Sequence, residues 1–189
     1  MMVLIERNTA LWQYLPDEIQ GLIADGETVV NFALSLNKME AISDYSFMVF
    51  PFAKAYEGFL KKLFLDVGMI KPDEYYSDDI RIGRILNPSY MSEKGNVFAR
   101  FCESAPDKRE LSQKLWDAWK KGRNSVFHYF PHNFKKLDFD EAMDLIRGFV
   151  TAMTEAVADC DIPESKRHPI RDSASDDIKI DTLIGDEDE

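Results

Sequence analysis

Residues 107–130 read DKRELSQKLWDAWKKGRNSVFHYF. Asp107 follows Pro106 and has Glu110 three positions on, the acceptor-x-x-Glu arrangement that opens a helix. Pro131 ends it, because a proline pushes the residue before it out of the helical region. The pattern predicts one helix over 107–130, about 36 Å long. Leu111, Leu115, Ala118, Gly122, Val126 and Tyr129 recur at spacings of three and four and form one stripe. Trp116, Trp119, Phe127 and Phe130 widen it, with Arg123 among them. Asp117, Lys121, Asn124 and His128 keep the same period on the opposite, polar face. Asn124 and His128 stand one turn apart and point the same way. Arg123 lies on a neighbouring face, and its long side chain can reach round.

Working outward, residues 43–65 form the second main helix, with Phe47, Phe50, Phe52, Tyr56, Phe59, Leu60, Leu63 and Phe64 as its apolar face. Pro51 either kinks it or sits in the first turn of its second half. Lys54, Glu57, Gly58 and Lys61 take the other side. Residues 66–91 are a long connection, with Gly68, Pro72, Pro88 and a short helix around Asp79–Leu86 carrying Arg81 and Arg84. A helix from Ser92 to about Glu103 follows. After the 107–130 segment, Asp138 or Asp140 caps a last helix to about Cys160, striped by Ala142, Leu145, Ile146, Phe149, Met153, Ala156 and Val157. No stretch alternates as a strand. The fold class is all-α, a bundle of four or more helices. Residues 43–162 are its main domain. Residues 1–42 are a small helical extension packed on it, with one helix from Asp17 to Ala24 and another from Glu27 to Leu36. Residues 163–189 are an acidic, disordered tail.

Composition narrows the function. Of 189 residues, 45% are hydrophobic, enough for a real core. Cys102 and Cys160 are far apart and give neither a disulfide framework nor a metal site, which suits a reducing, cytoplasmic setting. No apolar run has the length of a membrane span, and the first residues do not form a signal peptide. The net charge of −11 speaks against a nucleic-acid ligand until its distribution is read. Residues 172–189 hold eight acids and one lysine, −7 of the total. Between Lys108 and Lys136 stand eight Lys/Arg against two acids, a local +6. Local potential decides where a phosphate goes. The tail either keeps the chain soluble or competes with RNA for this basic patch.

The polar residues near the end of the 107–130 segment carry the chemistry. A histidine near a helix C-terminus is favoured as imidazolium and suits acid/base work near neutral pH. The competing structural readings are a structural histidine, an Arg123 snorkelling beside the tryptophans, and a Glu57 paired with Lys54 or Lys61 on its own helix. There is no P-loop, GxGxxG, GxSxG or HExxH motif. His128, His132 and His168 do not combine with the cysteines into zinc spacing.

A helical bundle whose late helix carries Arg-polar-x-x-x-His resembles the HEPN superfamily, through Arg123, Asn124 and His128. Within it, the chain looks most like the HEPN domain of RNase LS-type toxins. There the first core helix has a basic residue three positions before a glutamate, matched here by Lys54 and Glu57 in KAYEGFLKKLF. The resemblance covers about 43–160. It implies a metal-independent endoribonuclease without cofactor, acting as a homodimer, as a toxin or phage-defence effector restrained by an antitoxin or regulatory protein. Arg123, His128, Asn124 and Glu57 are the catalytic candidates. Lys54, Lys120 and Lys121 are the RNA-binding ones. The alternative is a non-catalytic HEPN-like module that binds a protein partner or RNA. One position departs from many HEPN toxins paired with a minimal nucleotidyltransferase, which carry a tyrosine two residues after the histidine. Here Phe130 stands there, with Tyr129 one place early.

Overall fold

The computed structural model describes residues 2–36, 42–77, 80–93, 96, 98, 108–124 and 126–160, with the side chains of residues 108 and 124 left aside. Seven α-helices and no strand occur among them: α1 (Ala10–Tyr14), α2 (Asp17–Ser35), α3 (Ser46–Asp66), α4 (Pro72–Tyr76), α5 (Ile82–Ile85), α6 (Lys108–Ala118) and α7 (Phe139–Asp159). The protein is all-α. The helix expected from Ser92 to Glu103 and the acidic tail lie outside the described residues, apart from a few positions of the former.

The central helix α3 carries the core. Phe52, Tyr56, Phe59, Leu60, Leu63 and Phe64 are all fully buried. Helix α2 packs on one side of α3 and α7 on another, and α6 closes against α7. Their buried side chains join those of the N-terminal segment in a single cluster. The Tyr56 hydroxyl donates to the Leu115 carbonyl at 2.9 Å, tying α3 to α6 inside the core. The Tyr14 hydroxyl donates to Asp66, which also holds Lys62, so α1 is fastened to the end of α3. Burial, then the Asp66 charge, push the Tyr14 pKa well above the ordinary tyrosine range.

Helix α7 follows its sequence closely. Asp138 accepts from the Glu141 N–H and Glu141 returns the bond to the Asp138 N–H, a reciprocal cap. Elsewhere the structure corrects the reading. The stretch 17–35 is one helix, not two. Gly26, which lies between the two expected helices, is where α2 and α3 approach: a Cβ there would lie 2.5 Å from the Phe52 ring. Pro51 is absorbed within α3, near its N-terminal end. Phe47 and Phe50, read as core, are 39% and 56% exposed.

The largest correction concerns the 107–130 segment. Regular α-helix stops at Ala118 and continues as a π-helical turn over Trp119–Asn124. Beyond it the chain leaves the helix, so the polar stripe that was to end at His128 does not form. Two causes are visible. Gly122 is wedged under Phe149, where a Cβ would come within 2.2 Å of the ring. Residues 124–130, Asn-Ser-Val-Phe-His-Tyr-Phe, are weak helix formers, and Pro131 holds Phe130 extended at φ −106°, ψ 144°. Tyr129, expected on the core stripe, is 79% exposed.

Candidate active site

The site begins with α3. Spacings of four and three put Phe50, Lys54 and Glu57 on one face of that helix. The π-helical turn brings Arg123 to the same place. Wide turns of this kind shift the phase of a helix and recur at functional sites. Arg123 Nε lies 3.8 Å from Glu57 Oε2. Its guanidinium carbon stands 5.4 Å from the centre of the Trp119 ring. Glu57 thus pairs across to Arg123 rather than with the lysines of its own helix. The pair is about two-fifths exposed on the arginine side and one-third on the glutamate side, 43% and 34%. It is therefore worth less than about 1 kcal/mol of stability and is better understood as orienting the guanidinium.

Two clefts meet at this pair. The first, about 340 Å³, is lined by Phe50, Ala53, Lys54, Glu57, Arg123 and Phe127. Its walls are largely apolar, and Phe50 and Phe127 meet edge to face with ring centres 5.7 Å apart. The second, about 390 Å³, is lined by Glu57, Arg123, Trp119 and the stretch Ile80–Arg84.

The structure therefore brings Lys54, Glu57 and Arg123 together. It places the other candidates elsewhere. His128 is exposed in the turn after the π-helical segment, and lines neither cleft. Lys120 and Lys121 are exposed on the π-helical turn and also stand outside both clefts. The Asn124 side chain is among those left aside. Phe50, Phe127 and Arg81 are lining residues that sequence reasoning did not assign to the site. A signal was present for two of them: Phe50 precedes Lys54 by four residues, and Phe127 follows Arg123 by four.

The segment after His128 is pinned back to the start of α3. Asp44 accepts hydrogen bonds from Ser46, from Asn133 Nδ2 at 2.9 Å and from the Leu137 N–H at 3.2 Å. Backbone N–H of Tyr45 donates to the Leu137 carbonyl. Partial burial alone would raise the Asp44 pKa, but the bonds from Ser46, Asn133 and Leu137 outweigh it and hold it at about 2. His132 and Asn133 both take left-handed backbone angles, φ 60° and 48°, a conformation tolerated here by two residue types that adopt it more readily than most.

Among the described residues, no three His, Cys, Asp or Glu side chains gather in a group that could hold a metal ion. No helix among them is long and apolar enough to cross a membrane.

Comparison with protein families gives a match over residues 6–129 to the model described as "RNase LS, bacterial toxin DBD domain". The chain belongs to that RNase LS toxin family. The matched span takes in α1 through α6, and with them Lys54, Glu57, Arg123 and His128. It ends one residue past the histidine. The toxin-family segment thus includes the N-terminal helices as well as both sides of the Glu57–Arg123 pair. No curated protein and no solved structure matches the chain.

Proposed function

We propose that this RNase LS-family chain is a HEPN-type endoribonuclease toxin that cleaves RNA without a metal and acts as a homodimer. The observation that carries the reading is the Arg123 guanidinium, held by Glu57 where two clefts meet, five residues before an exposed histidine. RNA brings its own nucleophile. The 2′-oxygen attacks the adjacent phosphorus, the bond from phosphorus to the 5′-oxygen breaks, and the products are a 2′,3′-cyclic phosphate and a 5′-hydroxyl. A base removes the 2′ proton, an acid protonates the leaving oxygen, and a cation stabilises the charge on the phosphoryl oxygens.

Arg123 fits the electrostatic role, because its planar fork matches two phosphate oxygens. Lys54 adds a second cation to the lining of the first cleft. Glu57 positions Arg123. His128 supplies acid or base. Asn124 orients the phosphate or the histidine, and Lys120 and Lys121 extend the contact along the strand. His128 lies on the surface between Phe127 and Tyr129, which are 39% and 79% exposed. A second protomer docked on this surface would face one His128 with another, giving one acid and one base across a two-fold axis. Toxin membership fits restraint by an antitoxin, and a protein covering this surface would silence the site.

The test is incubation of the purified chain with total RNA in excess EDTA. Wild type is expected to leave cyclic-phosphate ends. His128→Ala and Arg123→Ala are each expected to lose cleavage by about 10²-fold or more while keeping their melting curves. Wild-type cleavage by either variant refutes the assignment. The exposure of His128 outside both clefts favours a second reading, a non-catalytic module that binds RNA or a protein partner. That reading predicts RNA or partner binding with no cleavage by the wild type.

A further inference from the structure

The second cleft shares Glu57 and Arg123 with the first, and the proposed chemistry assigns no role to its other lining residues. We propose that it seats the neighbouring nucleotide of a single-stranded RNA, with Arg81 binding the next phosphate along the strand. The inference rests on the ribonuclease reading and names a further contact of that site.

Three observations carry it. First, the two arginines of the Ile80–Arg84 stretch are in different states. Arg84 is engaged, donating to Glu93 through Nε at 3.0 Å and through Nη2 at 3.3 Å. Arg81 is exposed and forms no ion pair with any described residue, and its planar fork suits a phosphate. Second, Arg81 is carried by a fixed segment. Ile82 next to it is buried, and Gly83 lies so close to the Trp119 indole that a Cβ would stand 2.9 Å from Nε1. The Arg84–Glu93 pair lies on the exposed side of the same segment and adds little to its rigidity. Third, the two clefts adjoin, sharing Glu57 and Arg123 in their linings. Phe50 and Phe127, both partly exposed, line the first cleft and offer a base a stacking surface, Arg123 lines both clefts, and Arg81 lines the second. Bases splayed onto aromatic rings, with arginines tracking the backbone, are how unpaired RNA is bound. The second cleft's volume, about 390 Å³, lies in the range that accommodates a small ligand.

The test measures binding apart from cleavage. The full chain is titrated with a short oligouridylate carrying 2′-O-methyl groups, which removes the nucleophile, and with a dinucleoside monophosphate, which has a single phosphate. Arg81→Ala is expected to weaken oligonucleotide binding about tenfold. The slope of log affinity against log salt should flatten by about 0.7. Binding of the dinucleoside monophosphate should not change. Arg147→Ala, removing an exposed arginine of α7 that lines neither cleft, should change neither. Unchanged oligonucleotide binding by Arg81→Ala, an equal loss with both ligands, or a loss no greater than that of Arg147→Ala overturns the inference. In those cases cleavage by the wild type would leave the ribonuclease reading standing. A wild type that neither binds nor cleaves RNA overturns both.

Discussion

Replacing Glu57 by glutamine keeps its shape and removes its charge, leaving Arg123 with the Trp119 ring as its remaining neighbour among the interactions described. The fold should hardly notice, because a partly exposed pair contributes little. The guanidinium should lose its setting, and on the proposed mechanism Glu57→Gln cleaves about a hundredfold more slowly with an unchanged melting temperature. A parallel fall in both would make Glu57 a structural residue. Asp44 behaves in the opposite way. Its folded pKa of about 2 lies below its ordinary value of 3.8. The carboxylate therefore contributes stability fully above pH 3.8 and loses that contribution as pH falls through about 2. Urea unfolding of wild type against Asp44→Asn should show a stability gap at neutral pH that closes between these two values; a gap that persists below them counts against the assignment. Glu57 and Arg123 were legible in the sequence, because helical spacing marks the face a residue occupies. The bond from Asn133 to Asp44 was not, since 89 residues separate the partners and neither lies on a periodic stripe.

Helices α3 and α7 were legible for the same reason: long apolar stripes, and for α7 a reciprocal cap, coincide with what tertiary packing rewards. The errors came from glycines and from aromatics. A glycine in a helix is read locally as a weak point, yet Gly26 and Gly122 are places where another element presses in. Gly21 and Gly148, by contrast, have nothing within 4 Å of an added Cβ. Gly21→Ala and Gly148→Ala should each stabilise by up to about 1 kcal/mol through helix propensity. Gly26→Ala and Gly122→Ala should each cost about 1–3 kcal/mol, because Phe52 and Phe149 are fully buried and have nowhere to move. Chemical unfolding of the four variants separates the two classes, and stabilisation by either of the second pair would contradict the packing described. Phe50 and Phe127 misled because an aromatic at helical spacing is usually core. Here both form a cleft wall.

At the scale of the molecule, the question is whether 1–42 is an appendage or part of the fold. Ile19, Ile23 and Val30 of α2 belong to the same buried cluster as α3, and the toxin-family match begins at residue 6. A chain starting at residue 43 would expose the face of α3 that α2 covers. It should show no cooperative thermal transition by circular dichroism; a sharp melt would establish the main bundle as self-sufficient. The same view of the whole chain gives the Asp44 clasp a further meaning. The stretch that holds His128 is moored at Arg123 and again at Asn133, to Glu57 on α3 and to Asp44 just before that helix begins. One extra residue in α3 between its first turn and Glu57 would rotate one mooring by about 100° relative to the other. Related chains should therefore conserve two lengths jointly, the run from Asp44 to Glu57 and the run from Arg123 to Asn133, and admit insertions almost anywhere else first.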